Sequence, residues 1–283
     1  MTDAVLLVSC PDNKGITAAV TDFVYKNYGN ILHADQHTDQ QTDTFFMRIE
    51  WSLEGFALER VDIENAFKSI VEKFKMDFEL HFTDETPNVA IFASKQLHCL
   101  YDLLLRYKAG QFNCNIPLIV SNHIDAKVVA DEFGIKFSEV PITKENKEEQ
   151  EQKELQILKN ENIDLIVLAR YHQIFTKSLV DEYKKKIINI HHSFLPAFVG
   201  KNPYDQAYQK GVKLIGATSH YVTEELDQGP IIEQSTARVS HRDSLEDLVR
   251  IGEDLEKMVL SRAVRWHLQR KILSYNNKTV VFD

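Results

Sequence analysis

Thr83-Asp84-Glu85-Thr86-Pro87-Asn88 (TDETPN) is a polar stretch carrying Pro87, and the hydrophobic rhythm of the chain changes across it. Before it, Ala4 to Cys10 is a short β-rich run. Ile16, Ala19, Val20, Phe23 and Val24 then follow helical spacing up to Gly29. Two strand-like runs, Asn30 to Thr38 and Thr44 to Trp51, flank the polar turn Asp39 to Asp43. Ile63, Phe67, Ile70, Val71 and Phe74 give a second helical stripe, and Phe78 to Phe82 alternates as a last strand. The order βαββαβ is the ferredoxin-like unit. After TDETPN the pattern becomes compact apolar runs with helical segments between them: Val89 to Ala93, Pro117 to Ser121, Asp164 to Ala169 and Lys186 to Ile190. Such runs are typical of strands covered on both faces, so a doubly wound, mostly parallel, Rossmann-like α/β sheet is expected. Ile215 to Val222 and Ile231 to Gln234 add strands, and Leu245 to Trp266 reads as a long helix capped by Asp243 or Ser244. Two domains follow, residues 1–85 and 86–283.

Composition narrows the function classes. The 283 residues, 43% hydrophobic with ten glycines, describe an ordinary globular chain with ample core. A net charge of -9 argues against an electrostatic grip on nucleic acid or on anionic lipid. The start MTDAVLLVSCPDN has no cationic leader, and no apolar run approaches the roughly 20 residues of a membrane span. A soluble cytoplasmic protein is expected, with no nucleic-acid or membrane partner. Cys10, Cys99 and Cys114 are odd in number and lack CxxC spacing, which favours neither a disulfide framework nor a cysteine zinc site. The charged run Thr143 to Glu154 (TKENKEEQEQKE) leads into Leu155 and Leu158 and reads as a solvated helix face. The ending NNKTVVFD reads as a terminal strand or tail.

The chemistry concentrates in IINIHHSFLPAF, Ile187 to Phe198. On a strand, Asn189 and His191 share one face while Ile188 and Ile190 share the other, and His192 is expected to point away from His191. The run stops at Ser193 and Pro196, so the polar pair sits near the carboxyl end of a strand, where open α/β sheets bind ligands. An Asn amide can donate to an oxygen that turns negative as a carbonyl is attacked, and a histidine beside it can pass a proton at neutral pH. A satisfied core pair would look the same in isolation. The HH dipeptide is not a metal signature, because neighbours on a strand diverge and no HExxH or cysteine partner is near. In ELDQGPII, Glu225 to Ile232, Asp227 is first of all a turn residue, but it lies in a loop entering another strand and could reach the same sheet edge as His191. LARYHQIF, Leu168 to Phe175, begins at a further strand end and offers backbone donors and apolar walls for a flat ligand. PDNKGI, Pro11 to Ile16, ends a strand and opens a helix whose free NH groups could receive a carboxylate.

In this order, NIHHSFLP (Asn189 to Pro196), GATSHYV (Gly216 to Val222) and LDQGPII (Leu226 to Ile232) resemble the folate-dependent formyltransferase fold family. The resemblance carries the family's catalytic Asn, His and Asp onto Asn189, His191 and Asp227. It implies a pterin pocket among Tyr171, His172, Gln173, Ile174 and Phe175 on one side and Thr223, Glu224 and Leu226 on the other, with His192 and Ser193 as further substrate contacts. The N-terminal unit with Asp12, Asn13, Gly15 and Ile16 resembles an ACT module. That resemblance implies regulation by a small amino acid, glycine or methionine being first trials, and pairing of copies into a dimer or tetramer. His98-Cys99-Leu100, Ser121-Asn122-His123, Leu168-Ala169-Arg170-Tyr171 and Asn277 to Phe282 resemble the hydrolytic branch, so the likeness covers nearly the whole chain. Transferring relatives carry a glycine-rich phosphate loop where this chain has Ala93-Ser94-Lys95-Gln96-Leu97-His98, and tend to have Pro at His192. A relative that modifies tRNA carries a further RNA-binding domain. The resemblance therefore implies hydrolysis of 10-formyltetrahydrofolate to formate and tetrahydrofolate, with water as acceptor, no metal and no separate cofactor. Formate would then be supplied to purine biosynthesis. Transfer to a small amine, or a non-catalytic folate or amino-acid sensor, are the alternatives. The hydrolytic pattern usually reads Met and Leu at His172 and Phe175, and smaller residues at Lys201-Asn202.

Overall fold

A computed structural model describes residues 2–143, 145–197 and 203–283; Lys144, Phe198, Lys201 and Asn202 fall outside these. The chain divides into two compact units, Met1–Glu85 with Gln269–Leu273 and Val280–Asp283, and Thr86–Leu268 with Ser274–Thr279.

The smaller unit runs β1 (Asp3–Pro11), α1 (Ile16–Lys26), β2 (Asn30–Asp39), β3 (Thr44–Ser52), α2 (Arg60–Phe74), β4 (Asp77–Phe82). Its antiparallel sheet has the order β2-β3-β1-β4. Alternation puts Ala4, Leu6 and Val8 of β1 and Met47, Ile49 and Trp51 of β3 into one core with Phe23, Ile63 and Phe67 of the helices. Phe67 closes that core edge-on to Phe23 and Phe78, with ring centroids 5.2 and 5.7 Å away. Leu7, Phe46 and Arg48 occupy the opposite face and are also buried. There Arg48 donates to the Arg270 and Gln269 carbonyls at 3.0 and 3.3 Å. The C-terminal residues, expected to belong wholly to the second domain, thus divide between the two units because a buried arginine needs their carbonyls.

The larger unit runs β5 (Asn88–Ala93), α3 (His98–Lys108), β6 (Asn115–Ser121), α4 (Lys127–Phe133), β7 (Lys136–Glu139), α5 (Lys147–Asn160), β8 (Leu165–Ala169), α6 (Lys177–Glu182), β9 (Ile187–His191), α7 (Pro203–Lys210), β10 (Leu214–Tyr221), β11 (Ile231–Arg238) and α8 (Leu245–Leu268). A short hairpin, β12 (Ile272–Tyr275) and β13 (Lys278–Val281), follows. The seven-stranded sheet has the order β11-β10-β9-β8-β5-β6-β7. Pairings from β7 across to β9 are parallel, and β10 and β11 join antiparallel. After β5 the chain builds outward through β6 and β7, then returns to the other side of β5 with β8. The carboxyl ends of β5 and β8 therefore form the switch-point crevice where such sheets take ligands. At α8, the Ser244 hydroxyl accepts from the Asp247 amide while the Asp247 carboxylate accepts from the Ser244 amide, at 3.1 and 3.0 Å. That reciprocal cap makes Ser244 the start of the helix.

One expectation is reversed on α5. The run read as a solvated face buries Glu151 and Glu154, the latter with no exposed surface. Both side chains have partners beneath the loop that follows β8. Thr176 donates its amide and hydroxyl to Glu151 at 2.6 and 2.7 Å, and the Tyr171 hydroxyl donates to Glu154 at 2.8 Å. Hydrogen bonding is what lets these carboxyl groups leave water.

Candidate active site

β9 delivers Asn189 and His191 from the same strand face into a cavity of about 480 Å³. The cavity spans the carboxyl ends of β8 and β9 and takes Gln96 from the loop after β5. Tyr171, His172, Gln173, Ile174 and Phe175 form one wall, and Thr223, Glu224, Leu226 and Asp227 another. Tyr171 and Phe175 fix the first wall by packing edge-on to Phe92 of β5, with centroids 5.2 and 5.5 Å away. Lys177 pairs with Glu224 at 2.6 Å on the exposed rim, a contact worth little in water.

The polar centre is a chain of hydrogen bonds. His191 Nδ1 lies 3.2 Å from Asp227 Oδ2, and the other carboxylate oxygen lies 3.7 Å from His220 Nε2. His220 stands directly across from Asn189 in the β9–β10 register, and its Nε2 is 3.2 Å from the Asn189 Nδ2. Its Nδ1 is 2.9 Å from the Tyr221 carbonyl; the tautomer that donates there leaves Nε2 to accept from the Asn189 amide. An amide NH2 has two hydrogens, which leaves one for a ligand. Burial raises the Asp227 carboxyl, but hydrogen bonding and charge, that of His191 foremost, outweigh it and hold the group well below the usual carboxylate range. Asp227 is thus an anion, and His191 Nδ1–H donates to it. His191 Nε2 is buried without a hydrogen-bond partner among the described residues. A buried ring nitrogen in that state is costly unless something else meets it.

The turn that presents Asp227 is tightly specified. Asp227 itself is left-handed, with φ 57°. At Gly229 a Cβ would fall 1.7 Å from the Tyr221 carbonyl oxygen, so any side chain there displaces the turn.

Two site expectations are corrected. His192 does not turn away: β9 ends at His191, alternation no longer applies, and the two rings stack with centroids 5.2 Å apart while His192 lines the cavity. Burial, then the Arg170 charge, pushes His192 down to about 3, so it is a neutral hydrogen-bonding group. Ser193 is not a cavity residue: it is buried, and its hydroxyl donates to the Ala197 carbonyl at 2.8 Å. Sequence reasoning missed His220, Gln96 and Arg170. His220 is legible only once the β9–β10 register is known, because the pair is 31 residues apart.

A second polar group lies beside the first. Arg170, left-handed at φ 63°, donates through Nε and Nη2 to Gln96 Oε1 at 3.0 and 2.7 Å. Its Nε is 3.4 Å from the fully buried Glu256, which accepts from Tyr204 at 2.6 Å and meets His98 Nε2 at 2.8 Å. His98, Cys99 and Glu256 bring potential ligand atoms within 4.8 Å of one another. The carboxylate and imidazole are already bonded to each other, and burial followed by the Glu256 charge raises the Cys99 thiol well above its usual value. That chemistry fits a hydrogen-bond network. All three cysteines are free and buried, and among the described residues no helix is long and apolar enough to cross a membrane.

Comparison with known proteins gives the family. A formyl transferase family model matches residues 87–264. A formyltetrahydrofolate deformylase of Synechocystis is 55% identical over 279 residues, covering 99% of this chain and 98% of the relative. The one of Bacillus subtilis is 47% identical, covering 98% and 93%. The crystal structure of a formyltetrahydrofolate deformylase from Pseudomonas syringae superposes with a TM-score of 0.97 at 44% identity, covering 100% of this chain and 95% of that one. The chain belongs to the formyl transferase family and, within it, to the formyltetrahydrofolate deformylases.

Proposed function

We propose that this chain hydrolyses 10-formyltetrahydrofolate to formate and tetrahydrofolate, with Asn189, His191 and Asp227 as its catalytic groups. The observation that carries the reading is His191, held by Asp227 through Nδ1 while its buried Nε2 has no partner among the described residues. In this reading the pterin lies between the Tyr171–Phe175 wall and the Thr223–Leu226 wall, and the formyl group reaches Asn189 and His191. Water, positioned by His191 and Asp227, adds to the formyl carbon. The remaining Asn189 N–H and the protonated His191 stabilise the oxyanion. The carbon–nitrogen bond then breaks, the folate nitrogen takes a proton relayed through His191, and formate leaves. Asp227 holds the imidazole in place through Nδ1, so that Nε2 is the atom that accepts the water proton.

The smaller unit is read as an ACT-like module that binds a small amino acid near Asp12, Asn13, Gly15 and Ile16. What supports this is the start of α1: Gly15 is left-handed at φ 92°, no side chain caps the helix, and no acid stands in its first turn, so its N–H groups favour a carboxylate. A cytoplasmic homo-oligomer supplying formate to purine synthesis completes the proposal. Incubating the purified protein with 10-formyltetrahydrofolate and no amine tests the reaction. Formate release supports hydrolysis, tetrahydrofolate and formylated amine appearing only with an added amine favour a transferase, and binding without turnover favours a sensor.

A further inference from the structure

The large cavity has a neighbour of about 380 Å³, lined among others by His98, Tyr204, Val249 and Glu256. Gln96, Arg170 and His192 line both, so the second space begins at the back wall of the first. A folate that occupies the first cavity fills its mouth, because ligands of that size bury most of their surface. Hydrolysis nevertheless requires a small anion to leave.

Arg170 marks where that anion can go. The side chain is 7% exposed, and its Nη1 is buried with no hydrogen-bond partner among the described residues, although Nε and Nη2 are both engaged. A buried charged donor without an acceptor costs more than a satisfied one, and a guanidinium matches the paired oxygens of a carboxylate.

We propose that the second cavity is the product side of the active site, where formate, or another monocarboxylate of its size, is received by Arg170 on its way out. This rests on the hydrolytic reading above. Asp205, Glu253 and Glu256 also line the space. Glu256 is occupied by Tyr204 and His98, and the other two carboxylates oppose an anion. Formate is therefore passed on rather than retained, and its affinity is low.

The test follows ¹³C-formate by NMR line broadening and, in parallel, measures formate as an inhibitor. Formate is expected to bind the wild type weakly and to inhibit without competing with 10-formyltetrahydrofolate. Arg170→Lys loses the fork and weakens formate binding about tenfold. Val249→Trp, which narrows the second cavity alone, lowers kcat while KM for the folate stays unchanged. Competition between formate and the folate, or formate binding unaltered in Arg170→Lys, would overturn the proposal. The binding measurement decides even if Val249→Trp does not fold. It also separates the two readings: a wild type that binds formate through Arg170 but releases none from 10-formyltetrahydrofolate would defeat hydrolysis and leave the subsite standing.

Discussion

Replacing Glu154 with glutamine removes a single ionisable proton from beneath the cavity wall. Glu154 is fully buried on α5; Oε1 accepts from Tyr171, and Oε2 is buried without a partner among the described residues. Burial pushes its carboxyl from 4.5 up to about 7; the Tyr171 hydrogen bond opposes that shift and the nearby Glu151 charge adds to it. The folded chain therefore holds this proton more tightly than the unfolded chain does. The resulting stabilisation is fully present below about pH 4.5 and is lost as pH rises through about 7. At about 1.4 kcal/mol per pH unit, the displacement amounts to about 3 kcal/mol. Glutamine mimics the protonated acid, since its carbonyl still accepts from Tyr171 and its amide stands where the protonated oxygen stood. The variant should match the wild type to within about 1 kcal/mol at pH 5. At pH 8.5 it should be more stable, by up to about 3 kcal/mol. Urea unfolding followed by Trp266 fluorescence in a Trp51→Phe background isolates the larger unit, since these are the two tryptophans. An identical difference at the two pH values would refute the reasoning, because a purely steric or packing effect has no such pH dependence.

Asp227→Asn suits the left-handed turn, so it should fold normally, yet kcat should drop on the order of a hundredfold or more because the anion that fixes His191 is gone; steady-state kinetics and a melting curve check both halves. His191→Ala should lower formate release by about 10²- to 10⁴-fold with little change in stability, and near-normal activity would remove His191 from the mechanism. Gly229→Ala drives a Cβ into the Tyr221 carbonyl, so it should displace Asp227 and cost activity together with several degrees of melting temperature, read by calorimetry.

Much of this molecule is legible before folding because its signals are local. The βαββαβ order, the break at TDETPN and the pairing of Asn189 with His191 all follow from periodicity and turn residues within a few positions. What was hidden depends on contacts far along the chain. His220 becomes a site residue only through its register with Asn189, and Arg48 draws in carbonyls more than two hundred positions away. β7, Lys136–Glu139, is four residues of mixed polarity at a sheet edge and shows no apolar run to find. Glu151 and Glu154 sit in a run that looks solvated, and only the loop folded over α5 gives them partners. His192 was misread because alternation was carried one residue past the end of its strand.

The central claim is that water is the acceptor in a site built on His191 and Asp227. Turnover of 10-formyltetrahydrofolate in ¹⁸O-enriched water, with mass analysis of the formate, tests it most directly. Formate is expected to carry one solvent oxygen and to form in step with tetrahydrofolate with no amine present. Unlabelled formate, or no formate in water alone and a formylated amine once an amine acceptor is added, would contradict it.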